Sequence, residues 1–571
     1  MSAADEAAVV QATFAATVVD EWARAGVRHA VVAPGSRSAP LGLALAADDR
    51  LHVHVRLDER SAGFLALGIA KASGLPAVVL TTSGTAAVEL HPAVVEASHA
   101  GVPLVVCTAD RPPELQGVGA PQSIDQTHLY GRAVRWFCQP GPPESAAAPT
   151  WRSTASRAVA EALGPPAGPV HLNLAFREPL VADAGPLPPG RAEGAPWHRR
   201  AEVDLAVGDG LDAVAKLVGG RRGVVVAGAG AGDPAAVHEL AAALAWPVLA
   251  DPSSGARLPR PAPVAAFDAV LRHRPFAEQH RPEVVVRLGA PPASRVLAEW
   301  LAGAGATEVL VDPDRSWLDP GRGAALSVVA ASGPWCRALA AAGAVPADPA
   351  WSQSWAGAEA AAQLAIGGAL ERHPGLSEPG TARVLSEELA SGSTLVVSSS
   401  MPVRDLEWYG APRTGLRVLA NRGANGIDGV VSTAAGVAMA TAGPTALLVG
   451  DLAFLYDVNG LLGLAASCLD LTMVVVDNAG GGIFSLLPQA ELLAPERFEQ
   501  LFGTPQGVDV AAVAGAYGIP ATAVGHADDL RAALAQRGGG VRALVVRTDR
   551  SANAELHRRI HAEVAASLGA N

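Results

Sequence analysis

Cysteine is scarce in this sequence. The four present, Cys107, Cys138, Cys336 and Cys468, form no C-x-x-C pair and lie beside no histidine at ligand spacing. That argues against a disulfide framework and the common zinc folds, and reads instead as small apolar core residues in a reducing compartment. Long apolar runs are missing too: each is short and broken by Gly, Pro or charge, so no membrane span is expected. Basic residues are not in excess. With 43 Lys+Arg against 55 Asp+Glu, the formal net charge is -12. That balance argues against broad nucleic-acid binding while leaving room for a local basic pocket. The opening stretch, MSAADEAAVVQATFAATVVDEWARAG, is acidic, with no positive segment ahead of an apolar one. No signal peptide is expected, and a cytoplasmic location is.

What is present is apolar material in quantity. Hydrophobic residues make up 50% of 571 positions and charged residues 17%, enough for several buried cores. Three α/β blocks follow one another, at 1–184, 198–345 and 352–571. Pro/Gly-rich seams at 182–197 and 342–351 separate them. The first block's strands are HAVVAP, LHVHVRL, PAVVLTT, VPLVVCTA and PVHLNLA. The second has GVVVAGAG, WPVLAD, EVVVRLG and EVLVDP. The third has STLVVSS, RVLAN, TALLVGD, LTMVVVDN and ALVVRT. Strands alternating with helical segments imply the α/β class: three doubly wound, mostly parallel sheets. GAGAG at 228–232 follows a strand but lacks the full G-x-G-x-x-G and an acidic ribose partner, so a structural turn is the better reading.

Ligands of open α/β sheets sit beyond the carboxyl ends of strands, so the residues found there define the search. They are Ser36-Arg37, Asp58-Glu59-Arg60, Ser83-Gly84-Thr85, Asp110-Arg111, Ser400 to Arg404, Arg422 to Gly426, Asp451, and Asn478 followed by three glycines at 480–482. Asp451 and Asn478 end two consecutive strands of the third block. Parallel neighbours would bring two oxygen ligands together, as a hard cation bridging phosphates requires, beside a glycine-rich turn that can approach a diphosphate. Asp and Asn are also common turn residues at strand ends. Glu59 opens an apolar helix, where an acid can equally serve the helix dipole.

Taken together, PGSRSAPL (34–41), DERSAGFLALGIAK (58–71), TSGTAAVEL (82–90), ADRPPEL (109–115), SSSMPVRD (398–405), NRGANGIDG (421–429), GDLAFLYDVNGL (450–461) and GGGIFSLLP (480–488) resemble the thiamin-diphosphate-dependent enzymes. The domains of that family are pyrimidine-binding, central and diphosphate-binding. More narrowly the stretches resemble its menaquinone-biosynthesis branch, which makes 2-succinyl-5-enolpyruvyl-6-hydroxy-3-cyclohexene-1-carboxylate. Two departures stand out. Leu452 follows Asp451 where the wider family has glycine, and Asp477-Asn478-Ala479 replaces a run of asparagines.

The resemblance implies a division of labour. Glu59 would hydrogen-bond the cofactor's aminopyrimidine and promote proton loss from the thiazolium carbon. Asp451, Asn478 and the Gly480 carbonyl would hold Mg²⁺ or Mn²⁺. Ile427 would bend the cofactor, with Ser400 and Ile483 lining its bed. The substrates implied are 2-oxoglutarate and isochorismate, both dicarboxylates, which call for forked cations. Arg37, Arg111, Arg404 and Arg422 meet that need, with Ser36 and Gln122 nearby. Arg295 stands where the family carries a basic side chain from the central domain. Phe484 and Leu487 would wall the reacting carbon, although that stretch could equally be core. The family also implies a homodimer or dimer of dimers with active sites shared between chains. An acetolactate-synthase-like carboligase or simple decarboxylase is the nearest alternative, and would need fewer arginines. A catalytically silent relative would have lost Glu59 or the metal ligands.

Overall fold

The structure, a computed structural model, describes residues 3–199, 210–260, 262–536 and 538–569. The three blocks return as three six-stranded sheets. In the first, β1 (His29–Val32), β2 (His52–Val55), β3 (Ala77–Thr81), β4 (Leu104–Asp110), β5 (Trp136–Cys138) and β6 (Pro169–Ala175) run in the order β2-β1-β3-β4-β6-β5. The second holds β7 (Gly223–Ala227), β8 (Val248–Ala250), β9 (Pro263–Val264), β10 (Val284–Leu288), β11 (Thr307–Val311) and β12 (Ala324–Val328), ordered β12-β11-β10-β7-β8-β9. The third holds β13 (Ser393–Val397), β14 (Leu416–Ala420), β15 (Thr445–Gly450), β16 (Asp470–Asp477), β17 (Ala521–Ala523) and β18 (Gly540–Arg547), ordered β14-β13-β15-β16-β18-β17. Pairing is parallel in the first two sheets and at β13–β14, β13–β15 and β17–β18.

The strands that the sequence did not announce are β5, β9, β12 and β17, all at sheet edges. An edge strand is covered less, so it can be short and need not be a continuous apolar run. The seam at 182–197 carries no helix or strand beyond a 3-10 turn at Ala192–Gly194, whereas the 342–351 seam ends in the first turn of a long helix, Pro349–Glu371.

Contacts divide the chain into two compact units. One comprises Met1–Glu202, Asn421–Ala442 and Ala453–Leu471; the other comprises Val203–Ala420, Gly443–Leu452 and Thr472–Asn571. In the first unit the helix Glu59–Ser73 starts at Asp58, whose side chain accepts from Ser61 N–H at 3.0 Å, and ends at Gly74 with a left-handed φ of 71°. It packs against the helix Val430–Ala440 with reciprocal glycines at the crossing. A Cβ on Gly68 would collide with the Thr433 carbonyl, and one on Gly436 with the Leu65 carbonyl. Only hydrogen side chains permit so close an approach of two backbones. In the second unit Arg257 is buried and donates to five carbonyls, those of Ala250, Ala265, Leu406, Glu407 and Gly410. This ties the β8–β9 region to the helix Met401–Tyr409.

The GAGAG turn is closed by protein. Gly228 N–H donates to Leu288 O, Ala290 N–H donates to Ala229 O, and a Cβ on Gly228 would strike the Ala290 carbonyl. These main-chain contacts are those of a structural turn. All four cysteines are free. Cys107 and Cys336 are buried, but Cys468 is exposed and so is no core residue. Among the described residues no helix is long and apolar enough to cross a membrane.

Candidate active site

The first unit gathers cations at the carboxyl ends of β1 and β4. Arg37 is 6% exposed; it donates to Phe176 O at 3.0 Å and to Glu178 Oε1 at 3.3 Å, while its buried Nε has no partner. Burial, followed by the Arg111 charge, lowers its pKa. Arg111 is also buried. It donates to Ser83 Oγ at 2.8 Å and to Gln122 Oε1 at 3.5 Å, and Ser83 Oγ donates to Gln122 O at 2.9 Å. Gln122 holds a left-handed φ of 55°. Ser36 is exposed beside Arg37. The arrangement is two buried guanidinium groups close enough to feel each other's charge, which a bound anion would relieve.

Glu59 is the first residue of its helix and half-buried. The helix is capped by Asp58, and Glu59 stands in its first turn. The neighbouring residues are fully engaged: Asp58 accepts from Asn459 Nδ2 at 2.7 Å, Arg60 donates to Tyr456 O at 2.8 Å, and Ser61 Oγ donates to Asp457 at 3.4 Å. Burial pushes the Asp457 carboxyl up to about 6, against hydrogen bonds from Ser432. The start of this helix is therefore fixed, and no hydrogen bond from a described residue occupies the Glu59 carboxylate.

The loop after β14, which carries Arg422 and Ile427, is held within the same unit by residues that the sequence did not single out. Glu96 accepts from Gly423 N–H at 2.9 Å and from Ala424 N–H at 2.7 Å. Lys71 Nζ lies 3.7 Å from Glu96 and donates to Asn421 Oδ1 at 3.1 Å. A cavity of about 300 Å³ beside it is lined by Phe64, His91, Val95, Glu96, Ala424 and Asp428. Neither Glu96 nor Lys71 is marked in the sequence: each is one polar residue in a helix, and only the returning loop gives it a task.

The second unit holds the two side chains expected to offer oxygen to a cation. Asp451, directly after β15, is 5% exposed, and its Oδ1 accepts from Leu452 N–H at 2.8 Å. Burial, opposed by that bond and reinforced by the Asp477 charge, pushes its carboxyl up to about 6. Asn478, directly after β16, is 6% exposed. Its Nδ2 donates to Glu378 Oε1 at 2.9 Å, whereas its Oδ1 is buried with no partner. An orphaned amide oxygen near a desolvated carboxylate is what a hard cation would satisfy. Gly480 holds a φ of 136°, and a Cβ there would strike the Gly503 carbonyl. The residues thus fit a site where one carboxylate, one amide oxygen and one main-chain carbonyl would hold the cation. Asp477 lies 3.9 Å from Arg547 and accepts from Ala479 N–H at 3.3 Å. The unusual aspartate thus has partners of its own beside the ligand.

Around these ligands, Ser400 adopts a left-handed φ of 73° as the N-cap of the helix Met401–Tyr409, and its carbonyl accepts from Arg404 Nη1 at 2.6 Å. Ile483, Phe484 and Leu487 follow the glycines, all half-buried. Ile483 packs against the core of the middle sheet, and the Phe484 ring lies 5.3 Å from Phe502. Arg295 is not gathered with the others. It opens the helix Arg295–Ala304, 85% exposed, paired with Glu299 at 2.6 Å.

Comparison with known proteins agrees with the three-domain α/β fold. Residues 12–129 match a family model described as the N-terminal TPP binding domain of thiamine pyrophosphate enzymes. Residues 193–396 match the middle domain, and 406–546 the C-terminal TPP binding domain. A Myxococcus xanthus protein named 2-succinyl-5-enolpyruvyl-6-hydroxy-3-cyclohexene-1-carboxylate synthase is 44% identical, over 97% of this chain and 98% of its own. A Thermobifida fusca protein of the same name is 47% identical, over 97% and 99%. An X-ray structure of a Mycobacterium smegmatis protein superposes with a TM-score of 0.70 over 93% of this chain and 98% of its own; at 21% identity it speaks to the fold alone. The chain therefore belongs to the thiamine pyrophosphate enzymes and, within them, to the family of the 2-succinyl-5-enolpyruvyl-6-hydroxy-3-cyclohexene-1-carboxylate synthases.

Proposed function

We propose that this chain decarboxylates 2-oxoglutarate and adds the remaining four-carbon unit to isochorismate, with thiamin diphosphate and Mg²⁺ or Mn²⁺. The observation that carries the substrate class is the pair Arg37 and Arg111. Arg111 has only hydroxyl and amide partners, with no ion pair among the described residues. The carboxylate partner of Arg37, Glu178, has a side chain 73% exposed. Asp110, buried beside Arg111, feels its charge but accepts from the Arg111 main-chain N–H and from Asn173. Two buried cations whose guanidinium groups ion-pair with no buried carboxylate among the described residues suit a carboxylate ligand.

Thiamin diphosphate, when bound, supplies the nucleophilic carbon and the electron sink for decarboxylation. The chain's own residues do the rest. Glu59 holds a proton at the aminopyrimidine nitrogen. Asp451, Asn478 Oδ1 and the Gly480 carbonyl hold the cation, with Ser400, Ile427 and Ile483 shaping the cofactor's bed. Arg37, Arg111, Arg404 and Arg422, with Ser36 and Gln122, orient the substrate carboxylates. Phe484 and Leu487 keep water from the reacting carbon. Arg295 serves as a peripheral contact from the middle domain. The working domains are 1–184, 198–345 and 352–571, in a cytoplasmic homodimer or dimer of dimers. Each active site pairs Glu59 of one chain with the metal ligands of its partner.

The test is a coupled assay: purified protein with thiamin diphosphate, Mg²⁺, 2-oxoglutarate and isochorismate, with products read by mass. The expected product is the succinyl adduct with release of CO₂. Turnover of pyruvate in preference to 2-oxoglutarate would overturn the substrate assignment and favour an acetolactate-synthase-like carboligase.

A further inference from the structure

An asparagine amide is nearly symmetric in shape but not in chemistry. Turned one way it offers a cation an oxygen; turned the other way it offers two N–H groups. Something in the fold must decide which way Asn478 faces. The structure offers one partner on the nitrogen side and none on the oxygen side. Glu378 Oε1 accepts from Asn478 Nδ2 at 2.9 Å, and Oδ1 is buried and unbonded. Glu378 is itself 3% exposed, a poor place for a carboxylate unless it has a task.

Its position is set from three directions. It opens the helix Glu378–Glu388, whose N-cap Ser377 accepts from Gly380 N–H at 3.1 Å. Thr548 Oγ1 donates to the same Oε1 at 3.2 Å, and Thr548 N–H donates to the Asp477 carbonyl at 3.0 Å. Glu378 is thereby joined to the strand end that presents Asn478. On the remaining side Gly482 leaves room for the amide nitrogen, which a Cβ there would crowd.

We infer that Glu378 is a positioning residue for the metal, its carboxylate holding the Asn478 amide so that the oxygen faces the cation. The inference rests on the metal-site reading proposed above. It assigns to Glu378 no contact with metal, cofactor or substrate, only a hydrogen bond that fixes a ligand's orientation.

The test reads Mn²⁺ affinity in the presence of thiamin diphosphate, from the free-ion paramagnetic resonance signal, alongside thermal melting. Glu378→Met should weaken Mn²⁺ roughly 10- to 100-fold, the usual cost of losing an outer-shell partner. Glu378→Gln, whose amide oxygen accepts the same bond, should stay within about threefold of the parent. Asn478→Asp should bind Mn²⁺ poorly, because it turns a second carboxylate on Glu378. Adding Glu378→Gln to that variant should restore affinity by about tenfold or more, the signature of a coupled pair. Removing a negative charge weakens cation binding on Coulomb grounds alone; the Met and Gln variants both remove it, so the difference between those two reports the hydrogen bond, and the rescue reports that positions 378 and 478 are coupled.

Parental Mn²⁺ affinity in a folded Glu378→Met variant would overturn the inference, as would equal losses in the Met and Gln variants. If the Met variant does not fold, the double variant decides: rescue supports the inference and its absence overturns it. Asp451→Ala is the control. Its loss of Mn²⁺ binding keeps the metal-site reading standing whatever Glu378 does, whereas unchanged binding in that variant brings down both.

Discussion

The first and third sheets are built to one plan. Numbered from their own first strands, both run 2-1-3-4-6-5, whereas the middle sheet runs 6-5-4-1-2-3. Yet the strand ends of the two matching sheets carry opposite chemistry. Those of the first present Arg37 and Arg111 and are followed by the unencumbered Glu59. Those of the third present Asp451 and Asn478 beside a glycine turn. The middle sheet has glycines at its crossing point and closes it with its own backbone. Topology thus supplies the place for a site, and the few residues at strand ends set its chemistry: basic in the first sheet, oxygen-bearing in the third, closed by backbone in the middle one.

The sharpest way to break this comparison is to damage the two matching sheets separately. Asp451→Ala should weaken metal-dependent cofactor binding by about 100-fold or more, as loss of a charged metal ligand does. Glu59→Gln should leave that affinity within severalfold and slow exchange of the cofactor's C2 proton about 10²- to 10⁴-fold. Calorimetry and proton exchange separate the two effects. Refolding an equal mixture of the two inactive variants should return roughly a quarter of parental activity, through mixed dimers with one intact shared site. No recovery after confirmed subunit exchange would place Glu59 opposite its own chain's metal.

A second prediction sharpens the cationic half. Arg37→Ala and Arg111→Ala should each cost roughly 2–5 kcal/mol in kcat/KM where a substrate carboxylate loses its partner. Arg→Lys at either position should recover little, since a point charge cannot replace a planar fork. Steady-state kinetics unchanged in all of these variants would remove the dicarboxylate argument.

The smallest effect belongs to the clasp at the start of the Glu59 helix. Asp457 has its folded pKa raised from 3.8 to about 6 by burial. Its favourable contribution is therefore complete below the unfolded value and is lost as pH rises through the folded one. Asp457→Asn should remove that loss. The stability difference between variant and parent should grow in the variant's favour from pH 4 to pH 6, reaching at most about 3 kcal/mol. Parallel denaturation midpoints across that range would show that the Ser432 and Ser61 hydrogen bonds fully offset the burial.

Sequence and structure part company at identifiable residues. Among the described residues fourteen of eighteen strands are legible in the sequence: the twelve central ones, which are covered on both faces and so apolar, and the edge strands β2 and β14; the four missed ones lie at edges, where that demand lapses. The strand-end places of Arg37, Arg111, Asp451 and Asn478 are legible because polar groups following a buried strand have one place to go, the carboxyl edge of the sheet. Glu96, Lys71 and Glu378 are not, because each depends on a partner far along the chain. Glu96 needs the backbone at 423–424, and Glu378 the amide at 478. Arg295 shows the converse: its place in the sequence says nothing about exposure, which the helix Arg295–Ala304 sets by turning it to solvent.

Local chemistry, then, was determined by the sequence itself: which runs become strands, where helices are capped, and which functional groups stand at strand ends. Those depend on short-range sterics and on burial of neighbouring side chains. Only the tertiary structure decided which way the Asn478 amide turns and that the middle sheet's Gly228 meets backbone. Each of those outcomes turns on a hydrogen bond or a close backbone approach whose geometry no local pattern encodes.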